Sequence, residues 1–127
     1  FDSNFGLDDM RSASVGLEVV GEDGFRLEGI SDMSRISRDP ADIVAQTIGK
    51  HHQYPDGFVL YLGTMFAPIE DRDHPGEGFT HKPGDIVTVA SPRLGRLSNR
   101  VLRCPDVEPW TFGAGALMRN LAQRGLL

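Results

Sequence analysis

The chain has 127 residues, of which 39% are hydrophobic and 24% charged, with a formal net charge of -5. This is the composition of one ordinary globular domain and not of a disordered segment. The acidic balance, without any lysine or arginine run, argues against nucleic acid or an anionic membrane as a partner, and a lone cysteine, Cys104, points to a reducing, cytoplasmic setting.

Residues 1–13 read as a lead-in arm without a sustained period, so no element is assigned there. From Ser14 to Val20 the residues Val15, Leu17 and Val19 alternate with Ser14, Gly16 and Glu18, the period of a half-buried strand. Gly21-Glu22-Asp23-Gly24 is a turn, and Phe25, Leu27 and Gly29 lead back to Ile30, which completes a predicted hairpin. Ser31 to Ser34 reads as polar loop. Asp39-Pro40 is a helix-start signal, with Asp39 as N-cap, Pro40 in the first turn and Asp42 near the positive end of the dipole. Ile43, Val44, Thr47 and Ile48 would form the apolar face of a helix running to about Lys50.

Pro55-Asp56-Gly57 is a second turn signal. The run Phe58 to Leu62 then predicts a strand buried on both faces, and Gly63-Thr64 forms its exit. Residues 67–80 make a long loop carrying Glu70, Asp71, Arg72, Asp73 and Glu77. Lys82-Pro83-Gly84-Asp85 is a turn into a strand at Ile86 to Ala90, a second strand spans Arg96 to Leu102, and Cys104 to Pro109 is a bend. A last helix is predicted from Gly113 to Arg124, with Thr111 as its cap and Ala116, Leu117 and Leu121 inward. The chain thus divides into the arm, a β-rich core over 14–103 and a C-terminal helix and tail over 104–127, all within one domain.

Four groups of side chains carry candidate chemistry. His51 and His52 are weak candidates for proton transfer, because imidazole titrates near neutrality, and equally suit the end of a helix. His81, just before a turn, reads the same way. Glu70-Asp71-Arg72-Asp73 has alternating carboxylates but lacks the remaining oxygens of a calcium loop, which favours a solvated, self-paired acidic stretch. Cys104 has only Arg103 beside it and reads as structural. Gly63, Thr64 and Met65 form either a compact cradle for a carboxylate, from a hydroxyl and backbone N–H groups, or a plain strand exit.

Leu62-Gly63-Thr64, then Lys82-Pro83-Gly84-Asp85-Ile86-Val87, then Leu94-Gly95-Arg96-Leu97-Ser98-Asn99-Arg100-Val101 resemble, in that order, the C-terminal half of the fumarylacetoacetate hydrolase family. The resemblance spans about residues 14 to 103. Met65-Phe66-Ala67-Pro68 after the Gly-Thr pair, the added His51 to Gly57 and the tail from Pro109-Trp110 are closer to the branch that dehydrates 2-keto-3-deoxy-pentonates, such as 2-keto-3-deoxyxylonate. The resemblance implies an α+β, mainly β chain, part of a mixed β-roll with two or three short helices and commonly a homodimer. It implies a lyase that eliminates water from a 2-keto-3-deoxy sugar acid through a Mg²⁺-stabilised enolate, or alternatively a hydrolase of C–C bonds in acylpyruvates. The family's Glu-x-Glu metal pair precedes the hairpin, and no Glu-x-Glu occurs in these 127 residues. The chain, which begins at Phe1, is therefore expected to be the substrate-binding part of a longer enzyme, to carry no Mg²⁺ ligands and to be inactive alone. A stand-alone β-rich binding or assembly module is the non-enzyme alternative.

Overall fold

The computed structural model describes residues 4–127. It is an α+β chain whose centre is a four-stranded sheet, with three α-helices among the described residues. The predicted hairpin forms from β1 (Ser14–Val20) and β2 (Arg26–Asp32), and β3 (Ile86–Ser91) and β4 (Gly95–Arg100) follow late in the chain. The order is β2-β1-β3-β4, and every pair is antiparallel.

Register sorts the side chains onto two faces. Leu17 of β1 lies opposite both Gly29 and Val89, Val19 opposite both Leu27 and Val87, and Val15 opposite Ser31, so these residues share one face. It is the buried one: Val19 is 0% exposed and Leu27 2%. The other face is the more polar one, although Val20, Ile30 and Ile86 also lie on it. There Glu18 lies opposite Glu28, and Arg26 bridges the two carboxylates at 2.8 and 2.5 Å, while Thr88 and Ser98 share a hydrogen bond of 2.9 Å. A bridging cation is what allows two like charges to face each other across strands.

The helices depart from expectation at their ends. Within the arm, Leu7–Arg11 is a short helix, α1; residues 1–3 lie outside the described residues. Its N-terminus is closed by Asp9, whose carboxylate accepts from the Gly6 N–H at 2.8 Å, and Arg11 joins it to Asp39 at 2.6 Å. Helix α2 (Pro40–Thr47) starts as predicted, with the Asp39 carboxylate accepting from the Ala41 N–H at 2.8 Å. It stops at Thr47 because Ile48 is already extended, three residues short of the expected end. Ser31 to Ser34 is not loop: β2 runs to Asp32, which caps a 3₁₀ turn at Met33–Arg35. Helix α3 (Ala114–Gln123) begins after Gly113 with no side-chain cap, so Thr111 does not serve as one. None of its residues is buried; Ala116 and Leu121 are half-buried and Leu117 is exposed. A 3₁₀ turn at Cys104–Asp106 lies within the predicted bend, and Cys104 is exposed.

The largest correction concerns Phe58 to Leu62. It forms no strand, and only Phe58, Leu60 and Leu62 are half-buried, lining one cavity with Met10, Pro40 and Val44. Val59 and Tyr61 are 79% and 90% exposed. A continuous apolar run signals burial on both faces only when the chain provides cover for both. Here one face meets protein.

This single-layered build leaves much surface uncovered. The accessible area is 9993 Å², against about 6,700 Å² for a compact monomer of this mass. Val59, Tyr61, Ile69, Leu97 and Trp110 contribute to the excess. No helix among the described residues is long and apolar enough to cross a membrane.

One close approach fixes how the long middle segment lies on the sheet. A Cβ built on Gly29 would stand 2.3 Å from the Phe66 ring, so the ring rests on bare backbone. Gly29→Ala is expected to push Phe66 outward and to lower stability by about 1 kcal/mol, read as a shift of the urea midpoint at unchanged slope.

Candidate functional site

Over the apolar face of the sheet lies a cleft of about 330 Å³. Its floor is Val15, Leu17 and Val89 of the sheet; its walls come from two stretches of the chain, Thr64, Phe66 and Pro68 from one and Phe79 and His81 from the other, with Ser31 near the end of β2. The segment after Gly63 is tied down by three polar contacts. The Met65 N–H donates to Ser31 Oγ at 2.9 Å, the Phe66 N–H donates to Thr64 Oγ1 at 3.1 Å, and the Thr64 hydroxyl donates to the Phe66 carbonyl at 3.2 Å. The second wall is aromatic: Phe79 stacks on Phe25 with centroids 5.8 Å apart, and His81 meets Phe79 edge-on at 4.8 Å.

Beside this wall is a buried ion cluster. Arg72 and Asp85 side chains are each 1% exposed and form a forked pair at 2.6 and 2.7 Å. Arg72 also donates to both Asp23 oxygens at 3.1 and 3.2 Å and to the Thr80 carbonyl at 3.1 Å. With these bonds the guanidinium donors are all engaged. Its Cζ lies 4.7 Å from the centroid of the Phe25 ring. Asp85 additionally accepts from the Lys82 N–H at 2.8 Å, within the turn that Pro83 and Gly84 (φ 97°) make. Lys82 pairs with Asp23 at 3.1 Å and with Asp73. Asp71 closes the loop by accepting from the N–H groups of Gly76 and Gly78 at 2.7 and 2.6 Å.

The expectation of a solvated acidic loop is therefore corrected in its central residue. Asp71 and Asp73 are exposed and locally paired, but Arg72 is turned inward and anchors the loop to the hairpin turn and to Asp85, just before β3. Hydrogen bonding to Arg72 is the main reason that the Asp85 carboxyl is held down at about 2 from its ordinary 3.8, against the opposing effect of burial. Arg72, then the Phe25 N–H and Lys82, hold Asp23 well below the carboxylate range. Asp73 and then Asp23 raise the Lys82 ammonium. Both carboxylates thus bind protons more weakly folded than unfolded. Their contribution to stability is complete above their ordinary value and is lost as pH falls through the folded value. Acid titration followed by circular dichroism is expected to show stability dropping as pH falls below about 4, with a smaller drop in Asp85→Asn, where only the Asp23 share remains.

Of the sequence-predicted residues, Thr64 lines the cleft, Gly63 stands next to it in the left-handed region at φ 79°, and Met65 contributes its N–H to Ser31. The amides of Met65 and Phe66 are spent on Ser31 and Thr64, so the cradle is a folded turn that presents its rim to the cleft. His51 and His52 do not line it. They sit exposed in a tight turn after α2, where Gly49 and His52 exchange hydrogen bonds of 3.0 and 3.2 Å, and His52 stacks on Tyr54. Ser31, Phe66, Phe79 and His81 complete the cleft and were not singled out as its lining. The signal for Ser31 was its place on the inward register of the hairpin, two residues beyond Gly29.

Among the described residues no three His, Cys, Asp or Glu side chains come together as a metal site, and Asp23 and Asp85 are committed to Arg72. The residues present do not fit Mg²⁺. No family model matches the chain, and neither the curated proteins nor the solved structures yield a match.

Proposed function

We propose that this chain is the substrate-binding wall of an enzyme of the fumarylacetoacetate hydrolase type, closest to the lyases that dehydrate 2-keto-3-deoxy sugar acids. The observation that carries this reading is the bond between Met65 and Ser31, residues 34 apart in sequence. It joins the Gly63-Thr64 motif to the hairpin at the mouth of a cleft of small-molecule size. The Pro83-Gly84-Asp85 turn, the second motif, supports the other wall through Arg72. The β-roll, the Mg²⁺ of the parent enzyme, its cytoplasmic setting and its homo-oligomeric state belong to the same proposal. The large uncovered surface is what an assembled or larger protein would cover.

The lining supports a second reading. Val15, Leu17, Phe66, Pro68, Phe79 and Val89 are apolar, and the hydroxyls of Ser31 and Thr64 already have partners. Such a cleft suits the hydrocarbon end of an acylpyruvate better than the hydroxyls of a sugar acid. Calorimetric titration of the chain with a 2-keto-3-deoxy-pentonate and with acetylpyruvate separates the two. The tighter ligand identifies the class, and Thr64→Ala is expected to weaken it by about two- to tenfold, because losing the hydroxyl's bonds to Phe66 loosens the turn that lines the cleft. Binding of neither compound would leave the chain as a β-rich assembly module and overturn the enzyme reading.

A further inference from the structure

One histidine stands where cleft and ion cluster meet. His81 lines the cleft, its ring stands T-shaped against Phe79, and its side chain is 43% exposed. Its Nδ1 lies 3.8 Å from Oδ2 of the buried Asp85. The charged groups about that carboxylate are Arg72, which binds it in a fork, and Lys82, which offers it a backbone N–H and sends its ammonium to Asp23 and Asp73. Asp85 is thus an ionised carboxylate fixed from behind. A carboxylate beside one imidazole nitrogen favours the proton on that nitrogen and leaves the other as an acceptor. In His81 that other nitrogen is Nε2.

We propose that His81 is the proton-transfer residue of this cleft, with Asp85 as the positioning residue that sets its tautomer. The 3.8 Å separation is longer than a hydrogen bond, and Oδ2 already accepts from Arg72 and the Lys82 N–H, so Asp85 acts on the ring through its charge rather than through a formed bond. The inference rests on the 2-keto acid reading of the cleft. In a dehydration, Nε2 takes the C3 proton of the substrate; the C3–H pair becomes the C2–C3 double bond and the carbonyl π pair moves onto the C2 oxygen. As that oxygen's pair re-forms the carbonyl, the C2–C3 pair becomes the C3–C4 double bond and the C4–O bond breaks. The departing hydroxyl takes the proton back from His81 and leaves as water. Asp85 stays ionised throughout and opposes the transient positive charge on the ring.

The tautomer can be read without any activity. In ¹⁵N-labelled chain at about pH 8, above the imidazole range, long-range ¹H–¹⁵N spectra are expected to show His81 mainly as the Nδ1–H form, unlike His51, His52 and His74. Pyruvate, the smallest 2-keto acid, is then expected to shift the Nε2 signal of His81 together with the amides of Thr64 and Met65. An Nε2–H tautomer at His81 overturns the proposal. So does a pyruvate response at Thr64 and Met65 that leaves His81 unmoved, although the cleft reading then stands. If pyruvate moves none of them, the cleft reading falls and the catalytic role falls with it, whatever the tautomer. In the enzyme that contains this chain, His81→Gln is expected to lower kcat by about 100- to 10,000-fold with little change in KM; an unchanged kcat overturns the role.

Discussion

Arg72→Met is expected to lower stability by about 3–5 kcal/mol, the usual result of removing one partner from a buried, hydrogen-bonded ion pair. Methionine fills much of the space of the arginine stem but leaves Asp85 buried without its forked partner and removes the link from the long loop to the hairpin turn at Asp23. A loss of this size is a large part of the about 5–15 kcal/mol that a domain of this kind has in total. Adding Asp85→Asn removes the stranded charge while keeping an acceptor for the Lys82 N–H. The double variant is therefore expected to recover about 1–3 kcal/mol relative to the sum of the single changes. Urea denaturation of the four proteins gives the cycle directly. Additive losses would mean that the two side chains act independently, against the geometry of their contact.

Gly21→Ala is expected to be nearly as damaging, at about 3 kcal/mol. Gly21 is buried at the start of the hairpin turn, where its N–H donates to the Phe25 carbonyl at 2.9 Å. A Cβ there would stand 2.3 Å from Asp23 Oδ1 and 2.4 Å from Arg72 Nη2. It would push apart the two groups whose bond joins the turn to the loop. The guanidinium has no room to retreat, because Phe25 lies under it and Asp85 grips its other edge. Thermal unfolding of Gly21→Ala beside Gly24→Ala separates this cause from general strain in the turn: Gly24 takes φ 83° with open space around its would-be Cβ, so its cost is conformational alone.

The elements that sequence reveals well are those whose cause is local. Val15, Leu17 and Val19 alternate because one face of β1 is covered, and the same alternation is legible without any partner strand. Asp39 and Pro40 start α2 through bonds to residues at most two positions away. The Pro83-Gly84 turn needs only its own backbone angles. Phe58 to Leu62 fails for the opposite reason, since its apolar side chains do not reveal that one face has nothing packed on it. Helix α1 was missed because five residues held by a carboxylate on Gly6 show no period.

The site divides the same way. Thr64 was legible as a hydroxyl after glycine, and the structure sets it against the cleft. The role of Arg72 was not, because alternating charges look solvated and its partners lie 13 and 49 residues away. In the sequence His51, His52 and His81 read alike as weak proton-transfer candidates, and only the meeting with Phe79 and Asp85 sets His81 apart. Spacing along the chain says nothing of that meeting until the long loop has folded over β3.

That the cleft takes a 2-keto acid is most directly tested by following the backbone amides of the whole chain while pyruvate is added. The expected result is a saturable shift at Ser31, Thr64, Met65 and Phe66, with His81 on the other wall responding in step and His51 and His52 silent. Shifts scattered over the polar face of the sheet, or none at any concentration that leaves the protein folded, would contradict it.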